Sequence, residues 1–481
     1  MVEIELKFQI PEARRTALLK ALDPKKSQII DLKARYFDTP ERDLAQHHAA
    51  LRQRLEGDIW VQTFKAARKN HIERFEHNVI LGALQNTPEL DLTVYDAEPE
   101  ALAVLQGIDS NLALQFETDI QRTQRVIEFQ DALIEVSLDV GQIRTLNDAI
   151  EVYEIEFELK QGQISDLLEF SFAWVKKYQL WLDVRSKAEM GNLLLQQHAV
   201  SPATIAKDIQ LVKKDSSQKN LCQIIAQQLQ HLLPNIAAIS AQVAEDKHIV
   251  QAQIALDHLQ LSTSLFKEWN PAISDKFALQ LAAFKQQFDQ LQHLQHMQQT
   301  LGAFLQNPTT QEQLAKDVLY AKEKLIQLVR STQNVHHYLE LLIFSLSESK
   351  IEAKDLKQSV QQSLQQQYRA LNEQFNQSQI SDFESLDILA LRIHELKFSF
   401  PILTHVYDVK NLQKYSKALH DAALAAKEYQ ILASSAQYIQ NTELEASDWF
   451  VLGWLTAKQE VYAERLLEAT EQFLVSRKLI K

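Results

Sequence analysis

The first eight residues constrain the fold of this chain more than any other segment. They read Met-Val-Glu-Ile-Glu-Leu-Lys-Phe, so that charged residues alternate with apolar ones. A period of two is typical of a β-strand with one charged face and one apolar face. Glutamate and lysine are poor strand residues, and like charges on one face repel each other. A strand that tolerates this repulsion is expected to use its charges, and its paired carboxylates indicate a divalent cation.

The two halves of the chain differ in periodicity. Six of the eight glycines lie before residue 200, where an all-β domain needs turns, and glycine is unfavourable inside helices. After residue 200, apolar residues recur at the i, i+3, i+4 spacing of long amphipathic helices. The boundary falls in the stretch 199–217. We therefore predict a β domain over residues 1–200, a linker over 201–216 and a helical domain over 217–481.

Charge and cysteine content exclude several classes of protein. The net charge is −13, which argues against general nucleic-acid binding. Residues 1–200 hold 23 Lys and Arg against 33 Asp and Glu, whereas residues 201–481 hold 27 against 30. The single cysteine, Cys222, excludes a disulfide framework and a cysteine-based zinc site within one chain. The pattern of a signal peptide, a basic stretch followed by an apolar one, is not seen before the first strand, and no apolar run of about 20 residues occurs. We therefore expect a cytoplasmic protein with no membrane partner.

Eight segments of the first half are predicted to be strands, which is enough to close a small barrel. The predicted strands are 2–10, 28–38, 49–56, 59–67, 71–80, 113–129, 131–142 and 150–161. Helices are predicted from Pro11 to about Leu22 and over 165–178. The expected fold class is α+β, with an eight-stranded antiparallel β tunnel followed by an all-α helical bundle.

Charged side chains share one face on several of the predicted strands. Such faces carry Arg52 with Arg54, Arg74 with Glu76, Glu135 with Asp139, and Glu154 with Glu156, Glu158 and Lys160. An antiparallel sheet with one solvated face is the common explanation of this pattern. A solvated face also tolerates Thr, Ser and Gln, however, whereas here Glu and Arg recur. The pattern therefore favours a polar barrel interior that holds metal and phosphate.

These residues resemble the CYTH superfamily, also called triphosphate tunnel metalloenzymes, over most of residues 1–195. The opening Glu3-x-Glu5-x-Lys7 is the signature of that family, and eight further matches follow in order. They are Tyr36-Phe-Asp-Thr-Pro, Leu51-Arg-Gln-Arg, Thr63-Phe-Lys65, Arg74-Phe-Glu76, Thr118-Asp-Ile-Gln-Arg122, Ile134-Glu-Val-Ser-Leu-Asp139, Glu154-Ile-Glu156-Phe-Glu158 and Ser186-Lys187. The resemblance implies an eight-stranded antiparallel barrel whose interior is a charged tunnel.

The resemblance also implies roles for the tunnel residues. The residues that would bind triphosphate oxygens are Lys7, Arg52, Arg54, Lys65, Arg74, Arg122 and Lys187. The ligands of Mg²⁺ or Mn²⁺ would be Glu3, Glu5, Glu154, Glu156 and Glu158. The predicted catalytic set is Glu3, Glu5, Lys7, Glu76 and Asp139. Relatives often carry arginine where this chain has Met190, so one phosphate contact is expected to be missing.

The helical half resembles the CHAD domain, which is often fused to a CYTH domain. The best match is Leu391-Arg-Ile-His394-Glu-Leu-Lys397, followed by Leu419-His-Asp-Ala-Ala-Leu. CHAD domains bind polyphosphate through closely spaced basic residues, and those positions are depleted in this chain. A weak polyphosphate ligand or a protein partner therefore stays open for the helical half.

The resemblance implies a metal-dependent inorganic triphosphatase, which hydrolyses tripolyphosphate to pyrophosphate and phosphate. Arginine offers a fork to phosphate oxygens and carboxylates anchor divalent cations, so this chemistry needs both residue types in one tunnel. Three alternatives stay open: an adenylate cyclase acting on ATP, a hydrolase of thiamine triphosphate or nucleoside triphosphates, and a non-enzymatic polyphosphate-binding or scaffold protein. No P-loop motif occurs.

Overall fold

The computed structural model describes residues 2–68, 70–83, 86–106, 108, 111–301, 305–346, 355–406, 412–442 and 444–475. Within these residues, the first part of the chain is a closed antiparallel barrel and the later part is helical. The predicted fold class is confirmed.

Eight long strands close into a barrel, and a ninth, very short strand lies beside the first. The strands are, in chain order, β1 (Val2–Gln9), β2 (Gln28–Asp38), β3 (Ala49–Glu56), β4 (Ile59–Ala67), β5 (Glu73–Gly82), β6 (Ala113–Phe129), β7 (Ala132–Arg144), β8 (Ala149–Gln161) and β9 (Trp181–Leu182). Their order around the sheet is β5-β4-β3-β2-β6-β7-β8-β1, and an antiparallel pairing between β1 and β5 closes the barrel. β9 pairs with the last two residues of β1.

The ends of the eight long strands lie within two residues of the predicted ends. The largest local shift is in β5, which begins at Glu73 because the side chain of Asn70 turns the chain just before it. Asn70 Oδ1 accepts hydrogen bonds from the backbone N–H groups of Ile72 and Glu73, at 3.1 and 2.8 Å. β9 is not predicted, because two residues are too few to show a period.

The register of the strands decides which side chains share the interior. In an antiparallel pair, directly opposite residues project to the same face of the sheet. Arg54 on β3 lies opposite Ala34 on β2, which in turn lies opposite Thr118 on β6. Arg122 on β6 lies opposite Asp139 on β7. One continuous face of the sheet therefore carries the charged positions around the inside of the barrel.

Five helices accompany the barrel within the described part of residues 1–205. They are α1 (Glu12–Leu22), α2 (Asp43–Gln46), α3 (Pro99–Leu105), α4 (Ile164–Tyr178) and α5 (Lys187–Leu195). α4 covers the outer face of β8, where the ring of Phe157 lies 5.3 Å from that of Phe170. α5 packs Met190 against an interior apolar cluster that includes Tyr36 and Phe116. Met190 thus has a packing contact at the position where a cation was expected from relatives.

The later part of the chain consists of long helices joined by short connections. The helices are α6 (Ser217–Ser240), α7 (Asp246–Leu265), α8 (Asp275–Leu301), α9 (Pro308–Val329), α10 (Thr332–Leu346), α11 (Leu356–Gln377), α12 (Phe383–Thr404), α13 (Leu412–Gln440) and α14 (Ala446–Val475). No helix in the described residues has the length and apolar character needed to span a membrane.

The chain divides into two compact units whose limits interleave along the sequence. The first unit comprises Met1–Ile205, Leu229–Ala252 and Ile326–Phe344, and the second comprises Ala206–Gln228, Gln253–Leu325 and Ser345–Lys481. In the first unit, the side chain of Asn235 exchanges hydrogen bonds with the backbone of Thr204, at 3.0 and 3.2 Å. The guanidinium of Arg330 lies 4.5 Å from the ring centre of Trp181. Segments of four helices therefore pack with the barrel.

The second unit is held by apolar helix faces and by a few buried polar contacts. The carboxylate of Asp448 is fully buried and accepts hydrogen bonds from Asn307 Nδ2 at 2.7 Å and from the backbone N–H of Glu445 at 3.0 Å. The indole N–H of Trp269 donates to Ser363 Oγ at 3.1 Å. Buried polar groups need such partners, so these contacts fix how the helices of this unit meet.

Candidate active site

All fourteen predicted site residues lie along the charged interior face or at its edge. They come from seven strands and from α5: Glu3, Glu5 and Lys7 (β1), Arg52 and Arg54 (β3), Lys65 (β4), Arg74 and Glu76 (β5), Arg122 (β6), Asp139 (β7), Glu154, Glu156 and Glu158 (β8), and Lys187 (α5). Lys187 is the first residue of α5, whose N-terminus is capped by Ser186 Oγ accepting a hydrogen bond from the backbone N–H of Glu189 at 3.0 Å. The structure brings ten of these fourteen side chains into two clusters.

The Lys187 cluster joins three cations and three carboxylates. Its members are Lys187, Arg122, Lys7, Asp139, Glu154 and Glu156. Lys187 Nζ lies 2.5 to 2.8 Å from an oxygen of each of the three carboxylates. Arg122 donates to both oxygens of Asp139 at 2.7 Å and to Glu156 at 2.6 Å. None of the six side chains is more than 15% exposed, so these charges interact largely without solvent between them.

The cations of this cluster set the charge of its carboxyl groups. Burial by itself raises the pKa of Asp139 and of Glu156, but Lys187 and Arg122 outweigh burial and hold both pKa values below the ordinary range. Burial prevails at Glu154, whose pKa is raised. The three carboxylates in turn raise the pKa of Lys187 well above its ordinary value, against the effect of its burial. Lys187 is therefore a fixed positive charge.

The Lys65 cluster is formed by side chains of β1, β3, β4 and β5. Its members are Lys65, Arg52, Glu3 and Glu76. Lys65 Nζ lies 2.7 Å from Glu3 and 3.2 Å from Glu76, its directly opposite neighbour on β5. Arg52 approaches Glu76 at 3.9 Å and the hydroxyl of Tyr36 at 3.5 Å. Two carboxyl groups thus share one lysine.

The two carboxyl groups of the Lys65 cluster differ in charge. Burial is the largest influence on Glu3 and raises its pKa to about 8, although Lys65 acts in the opposite direction. Burial also disfavours charge on Glu76, but Lys65 and Arg52 outweigh it and lower the pKa of Glu76 to about 2. Near neutral pH the pair therefore carries about one negative charge beside Lys65, because burial keeps Glu3 largely neutral while Lys65 and Arg52 keep Glu76 charged.

Arg54 lies close to the guanidinium groups of Arg52 and Arg122. Its Nε donates to Glu56 at 2.7 Å. Burial lowers the pKa of Arg54, and the neighbouring guanidinium groups of Arg52 and Arg122 lower it further. Three guanidinium groups in one buried region create the potential that attracts a multiply charged anion.

The remaining predicted residues pair along the same face. Arg74 Nε lies 3.6 Å from Glu5. Glu158 is 2.8 Å from Lys160, and burial raises the pKa of Glu158 although Lys160 opposes this. Glu5 and Glu158 are directly opposite each other on β1 and β8. These side chains extend the charged face beyond the two clusters as far as Lys160 on β8.

One set of carboxylates has the arrangement that a divalent cation needs. Asp139, Glu154 and Glu156 each offer an oxygen, and these three oxygens lie within 4.8 Å of one another. They are the hard oxygen donors that Mg²⁺ and Mn²⁺ prefer, so the donor set fits such an ion. Among the described residues, this is the one group of three or more His, Cys, Asp or Glu side chains with that spacing. The assignment of metal ligands, which was made for Glu3, Glu5, Glu154, Glu156 and Glu158, stays a prediction.

Several residues of the site are missing from the sequence prediction. Glu56 follows Arg54 by two positions on β3, so the period of two could have found it. Asp183 could not be found in this way, because it lies outside the long strands. It is buried, accepts from Gln9 Nε2 at 3.2 Å, and pairs with Arg185 at 2.7 Å. It connects the end of β1 to the segment that leads into α5.

Known proteins resemble the two parts of the chain separately. A family model described as the CYTH domain matches residues 1–189. The curated inorganic triphosphatase of Haemophilus influenzae is 32% identical to this chain over 166 residues. That match covers 33% of this chain and 44% of the relative, so the chain spans less than half the length of the relative.

Among solved structures, the crystal structure of the CHAD domain from the plant Ricinus communis shares the fold of the helical region. The TM-score is 0.50 at 14% identity, and the match covers 59% of this chain and 99% of that chain. At this identity the likeness concerns the fold alone, and it confirms the predicted CHAD-like architecture. The residues that the CYTH family model matches, 1–189, are thus the residues that contain the closed barrel with its charged interior.

Proposed function

We propose that the barrel is the active site of a metal-dependent inorganic triphosphatase, which hydrolyses tripolyphosphate to pyrophosphate and phosphate. The observation that carries the proposal is the Lys187 cluster. It holds three buried cations and three carboxylates in contact, and the three carboxylates also have the spacing of a divalent-cation site. A site for a metal and a polyanion needs both sets of charges in one place.

The contacts of the clusters suggest how substrate is bound. In the structure, Lys187, Arg122 and Lys65 are paired with carboxylates at 2.5 to 3.2 Å. The oxygens of a triphosphate can replace the carboxylates as partners of these cations, because guanidinium and ammonium groups bind phosphate through similar charge-assisted hydrogen bonds. The carboxylates released in this exchange are then available to a cation. Substrate and metal would therefore each favour binding of the other.

The protein residues supply position and charge to the reaction. Phosphoryl transfer depends mainly on alignment and neutralisation of the phosphate oxygens, so a covalent nucleophile is unnecessary. A divalent cation, when bound, neutralises phosphate charge and makes an attacking water more acidic. In this proposal, Arg52, Arg54 and Arg122 bind phosphate oxygens of the substrate. Their burial strengthens these contacts because little water screens them.

The name of the relative from Haemophilus influenzae, an inorganic triphosphatase, supports tripolyphosphate as the substrate. The helical region is proposed to contribute no side chain to the two clusters, because they are built from the strands and α5.

The proposal is tested by removing one charge at a time from the Lys187 cluster. Glu156→Gln keeps the size of the side chain but removes the charge that Arg122 and Lys187 hold at 2.6 and 2.8 Å. We expect phosphate release from tripolyphosphate to fall at least 100-fold, as expected when an aligned charge is lost from a phosphoryl-transfer site. The control is Glu117→Gln, on the outer face of β6 next to Arg35. Equal activity in both variants would contradict the proposal.

An adenylate cyclase would use the same kind of tunnel on ATP. The same preparation is therefore incubated with ATP, and cyclic AMP and phosphate are measured side by side. Formation of cyclic AMP at a rate above that of phosphate release from tripolyphosphate would replace the proposed activity with a cyclase. Release of phosphate from tripolyphosphate without cyclic AMP supports the triphosphatase.

A further inference from the structure

The barrel wall is incomplete along one edge of β1. β1 pairs with β5 over Val2–Ile4 and with β9 over Phe8–Gln9, so its middle residues face no strand of the described part of the chain on that side. Two loop residues complete the wall there. The backbone N–H of Glu5 donates to the carbonyl of Ile72 at 2.9 Å, and the N–H of Asp183 donates to the carbonyl of Lys7 at 3.0 Å. The position of Glu5 therefore depends on the loop that precedes β5.

A cavity lies against this incomplete edge and joins the charged interior to the helical segments of the first unit. Its charged lining includes Glu5, Lys7 and Arg74, and its apolar lining includes Leu233 of α6 and Leu342 of α10. Both leucines are 2% exposed. Helical residues thus form part of the surroundings of Glu5.

A proline in α6 creates a hydrogen-bond acceptor at this place. In an α-helix the carbonyl of residue 230 would accept from the N–H of residue 234, but Pro234 has no N–H. Nε2 of His71, in the loop before β5, lies 3.4 Å from the carbonyl oxygen of Gln230. With the proton on Nε2, the imidazole donates to the carbonyl that the proline leaves without its helical partner. Burial lowers the pKa of His71 to about 4, which agrees with a neutral ring.

We propose that His71 is a positioning residue for Glu5, acting through its hydrogen bond to the proline-freed carbonyl of Gln230. The bond fixes the loop before β5 to α6. That loop then holds Glu5 through the carbonyl of Ile72, and it leads into Arg74, which faces Glu5 at 3.6 Å. By this inference, the segment of α6 around Gln230 helps to hold the edge of the tunnel in position. The inference rests on the proposed function in so far as Glu5 is taken as a metal ligand.

The test compares side chains with and without a donor at position 71 in the full chain. His71→Phe keeps an aromatic ring but removes the donor. His71→Leu also removes the donor, with a smaller side chain, and His71→Gln keeps an N–H. His198→Phe, at an exposed histidine, is the control. Two quantities are measured: the Kd for Mn²⁺ by titration calorimetry without substrate, and amide hydrogen exchange of the peptide that contains Glu5.

We expect His71→Phe and His71→Leu to weaken Mn²⁺ binding by about fivefold, within the range that loss of one net hydrogen bond produces. We expect exchange at the Glu5 amide to quicken in both variants, while the thermal midpoint of unfolding stays within a few degrees of wild type. His71→Gln should restore both quantities. Should either donor-free variant fail to fold, the other one carries the test.

The outcomes separate this inference from the proposed function. Unchanged Mn²⁺ affinity and unchanged exchange at Glu5 in the donor-free variants would overturn the positioning role, even with full triphosphatase activity. Weaker Mn²⁺ binding and faster exchange support it, even if wild type does not hydrolyse tripolyphosphate. A wild-type chain that binds no Mn²⁺ would overturn both.

Discussion

Lys187 has more ion-pair partners than any other cation of the Lys187 cluster. It contacts three carboxylates while only 12% exposed. Buried ion pairs add little to stability compared with apolar packing of the same volume, because desolvation offsets their attraction. Six charged groups of this kind in one barrel are therefore better explained by binding of charged ligands than by folding. The same charges should become costly to the fold when one of them is removed.

Replacing Lys187 by Met should destabilise the ligand-free protein strongly. Asp139, Glu154 and Glu156 would then lose the cation that lies 2.5 to 2.8 Å from each of them, and an unbalanced buried charge costs about 3–5 kcal/mol. The free energy of unfolding is measured by urea titration in EDTA and again with Mg²⁺. Because a cation can replace the lysine charge, Mg²⁺ should stabilise Lys187→Met more than it stabilises wild type.

Arg144→Met is the matched control for this prediction. Arg144 lies on the outer face of β7, where it is 47% exposed and 3.6 Å from Asp119. Such exposed pairs contribute about 0–1 kcal/mol. Equal losses of stability for the two variants, with no difference in the effect of Mg²⁺, would show that the interior charges are not balanced as described.

At the residue scale, the period of two predicted the charged faces but not the pairs that form within them. Arg122 and Asp139 share a face by alternation, and they meet because the register places them opposite each other. The registers themselves were not predicted. Lys187 comes from a helix and His71 from a loop, so no strand period could place them. Lys187 was found through the family motif, and His71 was not found because its partner, Gln230, lies 159 positions away.

At the scale of elements, the close approach of β6 and β7 depends on one glycine. A Cβ at Gly141 would lie 2.0 Å from the backbone carbonyl oxygen of Asp119 and 2.8 Å from the Cα of Ile120. Backbone atoms cannot move aside as the end of a flexible side chain can. The long β6–β7 ladder therefore tolerates no side chain at this position.

Gly141→Ala should lower the free energy of unfolding by at least about 1–3 kcal/mol, which is the usual cost of overpacking. Gly453→Ala is the control, because Gly453 lies in α14 and no atom of the described residues comes within 4 Å of its added Cβ. Alanine is favoured over glycine in a helix, so this variant should gain up to about 1 kcal/mol. Urea unfolding measures both. A stable Gly141→Ala would mean that β6 and β7 are farther apart than described.

In the second unit, α7, α8 and α12 meet at an ion pair that responds to pH. His394 Nε2 lies 2.8 Å from Asp257, and Lys285 lies 3.3 Å from the same carboxylate. Burial opposes charge on both partners, yet the contact raises the pKa of His394 and lowers the pKa of Asp257. The folded unit therefore keeps the histidine protonated to higher pH than the unfolded chain does.

This pair should stabilise the protein most between about pH 4 and pH 6.5, the ordinary pKa values of Asp and His. The contribution of His394 is fully present below its unfolded pKa and is lost as pH rises through the raised folded pKa. That of Asp257 is lost as pH falls through its lowered pKa. The difference in thermal midpoint between wild type and His394→Gln should shrink from pH 6 to pH 9, whereas exposed His198→Gln should show little difference throughout. A difference for His394→Gln that is constant with pH would rule out the ion pair.

The sequence predicted the strands better than the helices. Alternation over eight or more residues marks a strand and its ends, and the polar face marks the interior of the barrel. The helical period marks amphipathic helices in the later part, but it does not show where each helix ends. It also does not show which element covers its apolar face, because that depends on contacts distant in sequence.

At the scale of the whole molecule, the compact units do not follow the chain. Leu229–Ala252 and Ile326–Phe344 belong to the first unit, with the barrel, although their sequence has the helical period. The polar residues near 199–217 indicate that the structure changes there. They do not show that later helical segments return to pack with the barrel. The predicted domain limits, 1–200, 201–216 and 217–481, stay a prediction. The two compact units describe only which segments of the chain pack together.

Truncation after residue 205 should therefore weaken the barrel. It would remove Leu233 and Leu342 from the cavity beside β1, and uncovering buried leucine contacts costs about 1.5–3 kcal/mol for each side chain. We expect the fragment to melt at a markedly lower temperature than the first unit in the full chain, as followed by circular dichroism. A fragment 1–205 as stable and as active as the full chain would show that these helical segments add nothing to the tunnel.

The most direct test of the proposed triphosphatase is phosphate release from tripolyphosphate by the full chain, with Mg²⁺ or Mn²⁺ and with EDTA, beside ATP and thiamine triphosphate. The charged barrel predicts rapid release from tripolyphosphate that needs the metal, is abolished by EDTA, and exceeds release from the other two substrates. Equal or faster turnover of ATP or thiamine triphosphate would contradict the proposed substrate. No release from any of the three would contradict the proposed hydrolysis itself.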